Sequence, residues 1–230
     1  MSEKIIMALS PTEIMIADMQ RRNIILVVVS KTRSIEDIMK VYQYGQKIFG
    51  ENKVQELLTK YKSLPEDIQW HMIGHLQTNK VKLIAPFISL IHSVDSEKLL
   101  NEINKEAKKN NRTIDCLLEF KIASEDSKFG MSHENTELLL NPLVLSKYSN
   151  VKIRGLMGIA TATDEKATIR NEFKKLYTFF MEKKKFQGEE FNILSMGMSG
   201  DYQEAIEEGS NMVRIGSAIF GERPRKNLGL

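Results

Sequence analysis

Short apolar runs alternate with longer segments of helical periodicity along this chain of 230 residues. Eight runs are predicted strands: Ile24–Ser30, Lys47–Gly50, Gln69–Ile73, Leu90–Ser93, Thr113–Ile122, Lys152–Ile159, Phe191–Ser195 and Asn211–Ile215. The segments between them are predicted helices: Ser34–Tyr44, Lys53–Tyr61, Thr78–Ile84, Ser96–Asn110, His133–Leu145, Asp164–Lys185 and Asp201–Glu208. Because consecutive parallel strands need a crossover connection, usually helical, this order predicts repeated βα units.

The predicted sheet is closed rather than open. An open doubly wound sheet of this size normally has a G-x-G-x-x-G loop after its first strand, and no such loop is present here. Eight βα units without a linker favour one α/β domain over residues 1–230, a (β/α)8 TIM-like barrel. The segment 1–22 is predicted to add an N-terminal helix on the barrel. Its pattern from Lys4 to Arg21, with Pro11 near the middle, predicts an irregular beginning.

Composition argues against several functional classes. The net charge of +3 comes from 33 basic and 30 acidic residues that are interspersed, so neither nucleic acid nor a membrane is required as a partner. No apolar segment reaches ~18 residues, and no cleavable leader is recognisable, so the expected location is the cytoplasm. The single Cys116 fits a reducing compartment. His71 and His75 are four residues apart, but His71 lies in a predicted strand, so no metal site is expected.

A lysine follows the most apolar of the predicted strands. Six aliphatic residues, Ile24 to Val29, lead into Ser30 and Lys31. In a (β/α)8 barrel the functional residues lie at the C-terminal ends of the strands, and phosphate is commonly held by the loops after strands seven and eight. Strands one and eight become neighbours when the barrel closes. Lys31 is therefore expected to face both loops.

The two loops contain residue types that suit an anion. Gly197, Ser199 and Gly200 precede one predicted helix, and Gly216 and Ser217 begin a last helical turn. Free N–H groups at such helix starts attract phosphate, and glycine lets a phosphate approach the backbone closely. Without the lysine, these glycines are equally consistent with tight turns alone.

A lysine that faces a phosphate has two natural roles. It can neutralise the phosphate as a point charge, or it can form a Schiff base with an aldehyde. Pyridoxal 5′-phosphate combines both groups in one molecule. Arg214, at the end of the eighth predicted strand, then acquires the pyridine nitrogen as a partner, in place of an ordinary ion pair with a surface carboxylate.

Seven segments of the chain resemble, in order, the motifs of the pyridoxal-phosphate homeostasis proteins, which are single-domain relatives of the N-terminal barrel of alanine racemase (the fold-type III group). These segments are VVVSKTRSIEDI, FGENKVQE, WHMIGHLQTNK, IHSVDS, SKFGM, IRGLMGIAT and LSMGMSGDYQEAIEEGSNMVRIGSAIFG. The resemblance extends from about Asn23 to Arg223. It implies a TIM-like barrel that takes part in intracellular homeostasis of pyridoxal phosphate.

The resemblance implies six cofactor-binding residues: Lys31, Asn52, Ser199, Arg214, Gly216 and Ser217. Lys31 would hold pyridoxal phosphate covalently as an aldimine, Asn52 would lie in the pocket, and Arg214 would face the pyridine nitrogen. The other three would hold the phosphate. Two residues depart from the family pattern: Lys121 stands where many members have asparagine, and His75 occupies a variable position.

Binding with little catalysis is the function expected from these residues. A charged Arg214 keeps the pyridine nitrogen unprotonated, which makes the ring a poorer electron sink. The chain ends about 15 residues after Ile215, too few for the β-domain that supplies the second base in the racemase. The expected protein is a monomeric carrier or buffer that delivers pyridoxal phosphate to apo-enzymes. Two alternatives remain open: a small amino-acid racemase or lyase, and a barrel for another phosphate ester with Lys31 as counter-charge.

Overall fold

Eight parallel strands close into a barrel in the computed structural model, which describes residues 9–123 and 130–222. Each strand pairs with the next in the chain, and β8 pairs with β1. The strands are β1 Ile25–Val29, β2 Ile48–Glu51, β3 Gln69–Met72, β4 Leu90–Val94, β5 Ile114–Glu119, β6 Val151–Met157, β7 Ile193–Ser195 and β8 Met212–Ile215. The predicted fold class is therefore confirmed, and all eight predicted strands are present.

Helices follow the strands and cover the outside of the barrel. They are α1 Pro11–Arg21, α2 Ile35–Gln43, α3 Val54–Ser63, α4 Val81–Ile84, α5 Glu97–Lys109, α6 His133–Leu139, α7 Pro142–Leu145, α8 Lys166–Gln187, α9 Tyr202–Glu207 and α10 Ser217–Phe220. A 3₁₀ turn, Thr78–Lys80, precedes α4. Within the described residues, none of these helices has the length and apolar character that a membrane span needs.

Local chemistry explains most of the helix boundaries. The Ser34 hydroxyl accepts the N–H of Asp37 at 3.1 Å and caps the start of α2, which ends at Gln43, shortly before Gly45 with its positive φ. The segment His133–Leu145, predicted as one helix, is divided into α6 and α7, because Pro142 suits the first turn of a helix and not its interior. The predicted start of the longest helix at Asp164 is wrong by two residues, because Glu165 is still extended.

The N-terminal helix is shorter than predicted. It begins at Pro11, which occupies the first turn rather than the middle of the helix. Ser10 and Glu13 form a reciprocal capping box: each side chain accepts the backbone N–H of the other residue. Residues 1–8 of the predicted segment lie outside the described residues. The helix buries Ile16 and Met19 against the barrel.

Alternation along the strands separates two apolar layers. The inner layer fills the barrel with Val27, Ile73, Leu90, Leu117, Met157 and Met212. The outer layer lies between the strands and the helices, and it contains the largest buried side chains, among them Phe49, Trp70 and Phe173. Successive side chains of a strand point to opposite faces. A strand residue next in sequence to one of the outer layer therefore points into the barrel.

Candidate functional site

The six predicted site residues lie at one end of the barrel. Lys31 follows β1, Asn52 follows β2, Ser199 lies in the loop after β7, Arg214 is in β8, and Gly216 and Ser217 follow β8. Their strands are neighbours in the order β7, β8, β1 and β2. The barrel therefore brings residues from distant parts of the chain to one sector of its C-terminal rim, the position typical of functional sites in this fold.

The loops after β7 and β8 are tied together by one serine. Ser199 Oγ accepts the backbone N–H of Gly216 at 3.1 Å and that of Ala218 at 3.4 Å. A Cβ on Gly216 would lie 3.2 Å from the Cβ and carbonyl oxygen of Val29, next to the start of the Lys31 turn. The Ser199 hydroxyl and the backbone N–H groups of Gly216 and Ala218 thus form a cradle. Gly216 stands where Val29 leaves little room for a side chain. This chemistry suits a phosphate group.

Arg214 points into the barrel and is anchored to its wall. The side chain is 4% exposed. Its Nη1 donates to the carbonyl oxygen of Ser195 at 2.9 Å and to Ser195 Oγ at 2.7 Å, and its Nη2 donates to the carbonyl oxygen of Gly158 at 3.0 Å. Burial lowers the pKa of Arg214 to about 10, against the opposing effect of Asp201 and Glu119. The guanidinium therefore stays a cation at neutral pH.

Two buried histidines extend the hydrogen bonds of Arg214 across the barrel. His92 Nδ1 lies 3.1 Å from Ser195 Oγ, and His92 Nε2 lies 3.0 Å from His71 Nδ1. Burial lowers the pKa of His71 to about 3. Burial also lowers the pKa of His92, and the charges of His71 and Arg214 lower it further. Both imidazoles are neutral at physiological pH, so each ring has one donor and one acceptor nitrogen.

Glu119 adds an acidic group to the same interior layer. It ends β5 and is 5% exposed. Burial raises the pKa of Glu119 to about 7; the charge of Asp95 raises it as well, whereas Arg214 lowers it. The carboxyl group therefore changes charge within the physiological range, beside a permanently charged arginine.

Asn52 has a buried polar atom at the rim of the barrel. Among the described residues, its Oδ1 is buried and accepts no hydrogen bond. The backbone of Asn52 packs against Gly74, where a Cβ would lie 2.6 Å from the Asn52 carbonyl oxygen. A buried acceptor without a donor costs free energy unless a bound molecule supplies the donor. Asn52 therefore fits a position in a ligand pocket.

The two residues that depart from the family pattern have separate environments. His75 is exposed, and its Nδ1 lies 3.1 Å from Asp95 Oδ2. Lys121 is half-buried and lines a cavity of about 750 Å³ together with His133 and residues of α8 such as Lys174. Within residues 9–123 and 130–222, no three His, Cys, Asp or Glu side chains are grouped in a way that would hold a metal ion.

Sequence reasoning missed most of the polar interior. The sequence pattern places His92, Ser195 and Glu119 in strands but indicates no role for them. A usable signal was present: Ser195 and Glu119 are single polar residues within the apolar runs ILSM and LLEF, and His92 stands beside Ser93 in IHSV. All three side chains point into the barrel only in the observed strand register. The sequence pattern does not distinguish this register from one shifted by a single residue, which would turn the side chains outward.

Comparison with known proteins identifies relatives along most of the chain. The family model of the alanine racemase N-terminal domain matches residues 15–224. The pyridoxal phosphate homeostasis protein of Aquifex aeolicus is 43% identical over 199 residues, which are 84% of this chain and 85% of that protein. That of Pasteurella multocida is 38% identical over 204 residues, with 86% of each chain covered.

Solved structures give the same grouping. PipY of Synechococcus elongatus PCC7942, solved with pyridoxal phosphate (PLP) bound, is 32% identical and superposes with a TM-score of 0.80 over 91% of this chain and 100% of PipY. Alanine racemase from Bartonella henselae is 16% identical, with a TM-score of 0.69 over 93% of this chain and 60% of the racemase. At that identity the racemase supports the fold alone.

Proposed function

Because the chain belongs to the pyridoxal phosphate homeostasis protein family, which has the barrel of the alanine racemase N-terminal domain, we propose that it binds pyridoxal 5′-phosphate and takes part in its homeostasis. The observation that carries the proposal is the position of Lys31. It follows β1, the strand that pairs with β8, and Gly216 after β8 lies against Val29, so an amine and an anion-binding loop occupy one rim of the barrel. Bound pyridoxal phosphate supplies a reactive aldehyde and a phosphate anion, which these two features suit.

Each of the six residues has a proposed role in that binding. Lys31 supplies the amine that forms a Schiff base with the aldehyde, and Asn52 offers its unpartnered oxygen to a donor of the ligand. Ser199, Gly216 and Ser217 hold the phosphate through hydroxyl and backbone N–H groups. Arg214 faces the pyridine nitrogen from its anchored position on β8.

Little catalysis is proposed, for an electrostatic reason. The buried Arg214 carries its charge at neutral pH. A guanidinium has only N–H donors, so it cannot accept a hydrogen bond from a protonated pyridine nitrogen. A pyridine nitrogen beside it stays unprotonated, so the ring withdraws electrons poorly from a carbanion. We propose a monomeric cytoplasmic carrier or buffer that releases pyridoxal phosphate to apo-enzymes.

Absorbance spectroscopy tests the binding. Purified protein is mixed with pyridoxal phosphate, reduced with borohydride and mapped by peptide mass spectrometry, with Lys31→Ala as the comparison and Lys62→Ala as the control. The expected result is an imine band with the label on Lys31, present in Lys62→Ala and absent in Lys31→Ala. Label spread over surface lysines would refute the proposal and leave a barrel for another phosphate ester.

A second measurement distinguishes a carrier from an enzyme. The loaded protein is incubated with an apo-enzyme that needs pyridoxal phosphate, and the recovery of activity is compared with the rate of release into buffer. Transfer faster than release supports a direct carrier, whereas equal rates support a buffer. Turnover of amino acids well above the rate of free pyridoxal phosphate would instead establish a small racemase or lyase.

A further inference from the structure

A buried lysine lies behind the turn that contains Lys31. Lys60 projects from α3 toward the outer face of the barrel and is 4% exposed. Its Nζ donates to the carbonyl oxygen of Ser30 at 2.7 Å, to Glu51 Oε1 at 2.6 Å and to Glu56 Oε1 at 2.7 Å. An ammonium group has three N–H donors, and these contacts use all three. The role of Lys60 is therefore to bind the protein's own groups.

The contacts of this cluster reach both sides of Lys31. On one side, Lys60 binds the carbonyl oxygen of Ser30, the residue before Lys31. On the other side, Glu56 Oε1 accepts the backbone N–H of Thr32, the residue after Lys31, at 2.5 Å. The same Glu56 oxygen accepts from Lys60. One cation thus anchors the chain directly before Lys31 and, through one carboxylate, directly after it.

The turn needs such an anchor because its backbone is strained. Thr32 has φ of 64°, the left-handed region, which a β-branched residue rarely adopts. The Ser30 side of the turn is held by its own bonds: the Ser30 N–H donates to the carbonyl oxygen of Gly50 at 3.0 Å, and the Ser30 hydroxyl donates to Glu51 Oε1 at 2.6 Å. On the Thr32 side, the Arg33 N–H donates to the carbonyl oxygen of Ser30 at 3.0 Å, and Glu56 is the acceptor of the Thr32 N–H. A strained conformation persists only where surrounding contacts determine it.

We infer that Lys60 and Glu56 are positioning residues for Lys31: together they hold the Ser30–Lys31–Thr32 turn so that the amine of Lys31 is directed at the aldehyde of a bound ligand. This inference rests on the proposed function. Lys60 acts from the helix side of the barrel wall, through Ser30 and Glu56, and takes no part in binding the ligand itself.

The step that depends on this positioning is the formation of the imine. A bound pyridoxal phosphate would offer its aldehyde carbon to the neutral Lys31 Nζ: a C=N bond would replace the C=O bond, and the oxygen would leave as water with the two amine hydrogens. No oxidant or reductant is needed. The rate of such an addition depends steeply on the approach of the amine, so a loosened turn slows it more than it weakens non-covalent binding.

The test separates the two effects with a pair of ligands. Pyridoxal 5′-phosphate forms the imine, whereas pyridoxine 5′-phosphate has an alcohol in place of the aldehyde and binds only non-covalently. For Lys60→Met, we expect imine formation to slow by about tenfold or more while the Kd for pyridoxine 5′-phosphate stays within about twofold. The matched control is Lys62→Met, an exposed lysine on the same helix, which leaves both quantities unchanged.

A second pair of variants covers the case in which Lys60→Met fails to fold. Glu56 is partly exposed, with 26% of its side-chain surface accessible, so its replacement leaves the buried Lys60–Glu51 pair in place. Glu56→Ala removes the acceptor of the Thr32 N–H, whereas Glu56→Gln keeps an oxygen there. We expect Glu56→Ala to slow imine formation and Glu56→Gln to restore most of the rate.

Amide hydrogen exchange at Thr32 supplies a readout that needs no ligand. Exchange is expected to be faster in Lys60→Met and Glu56→Ala than in the wild type and in Lys62→Met. Wild-type imine rates in the folded variants, or an equal loss of imine formation and pyridoxine 5′-phosphate affinity, would overturn the positioning role. A wild-type protein that forms no imine with Lys31 would refute the proposed function instead, and Thr32 exchange would still decide whether the cluster holds the turn.

Discussion

The hydroxyl of Ser199 accepts the backbone N–H of Gly216 at 3.1 Å and so joins the loop after β7 to the loop after β8. The two residues are 17 positions apart in the chain. The bond sets the relative position of the two loops. It also places the Ser199 hydroxyl beside the backbone N–H groups of Gly216 and Ala218. If a phosphate binds in this cradle, Ser199 contributes both by contact and by holding the loops together.

Replacing Ser199 tests that dual contribution. For Ser199→Ala, we expect the affinity for pyridoxal 5′-phosphate to fall by about tenfold, because a hydrogen bond to a charged group contributes about 1.5–3 kcal/mol. The affinity for pyridoxal, which has no phosphate, is expected to stay the same. Both ligands are measured by equilibrium titration, with Ser146→Ala as the control, because the exposed Ser146 hydroxyl binds only the Leu143 carbonyl oxygen at the end of α7. Equal losses for both ligands would contradict a phosphate role.

The Arg214–Ser195–His92–His71 chain makes a prediction about tautomers. Arg214 is a donor only, so Ser195 Oγ accepts from it, and the serine proton is satisfied if it is donated to His92 Nδ1. His92 Nε2–H then donates to His71 Nδ1. We expect nitrogen NMR to show both rings protonated on Nε2 and uncharged at pH 5. A proton on Nδ1 of either ring would disprove this direction of the chain.

The same chain predicts a large cost for removing His92. His92→Phe leaves the Ser195 hydroxyl and His71 Nδ1 without their partner in a buried site, and each unsatisfied group costs about 1–3 kcal/mol. Urea denaturation is expected to show a free energy of unfolding lowered by about 2–5 kcal/mol. The exposed His75→Phe is the control and should change it by less than about 0.5 kcal/mol. A small loss in His92→Phe would mean that the bonds contribute little.

Glu119 predicts a pH dependence of stability. Its pKa is raised to about 7 in the folded protein, so between its ordinary value of 4.5 and 7 the folded state holds more protons than the unfolded state. The stabilisation is fully present below about pH 4.5 and is lost as the pH rises through 7. Glu119→Gln stays neutral throughout. It should differ from the wild type by less than about 1 kcal/mol near pH 5 and be more stable by about 3 kcal/mol well above pH 7.

Unfolding curves of wild type and Glu119→Gln between pH 5 and pH 8.5 measure this difference. The control is Glu189→Gln, which replaces an exposed carboxyl group and should run parallel to the wild type. Parallel curves for Glu119→Gln would show that the Glu119 carboxyl group is not held in the protonated form by its burial.

Arg214 and Arg170 provide a matched contrast between buried and exposed cations. Arg214→Met removes donors from two carbonyl oxygens and a hydroxyl in the barrel interior, and we expect a loss of about 3 kcal/mol or more in the free energy of unfolding. Arg170 pairs with Glu207 and Glu208 at the surface, so Arg170→Met should cost less than about 1 kcal/mol. Similar losses in urea denaturation would contradict the anchored role of Arg214.

Much of the fold was predictable from periodicity, and the errors have local causes. All eight strands were found, although the fifth was predicted to reach Ile122, whereas β5 ends at Glu119 and only an isolated bridge at Phe120 follows it. Apolar residues continue beyond Glu119, and periodicity alone does not mark where hydrogen-bonded pairing stops. The N-terminal helix was placed too early for a related reason: Pro11 suits a first turn as well as a break, and only the capping box of Ser10 and Glu13 decides between them.

The candidate site was predictable where a residue follows a strand, and unpredictable where its role depends on a partner far away in the chain. Lys31, Ser199 and Gly216 lie in loops that follow strands, so barrel geometry alone predicts their shared rim. Lys60 is different, because its sequence position inside an amphipathic helix suggests an ordinary surface lysine. Its burial and its bond to Ser30, 30 residues away, exist only in the folded chain.

The sequence by itself determined the eight βα units and the strand ends from which a site is built, because apolar periodicity, capping residues and glycines are local properties of the chain. The tertiary structure alone decided which polar groups meet: Arg214 with Ser195 and His92 inside the barrel, and Lys60 with Glu51 and Glu56 behind Lys31. These meetings depend on closure of the barrel and on strand register, and a shift of one residue would turn each inward side chain outward.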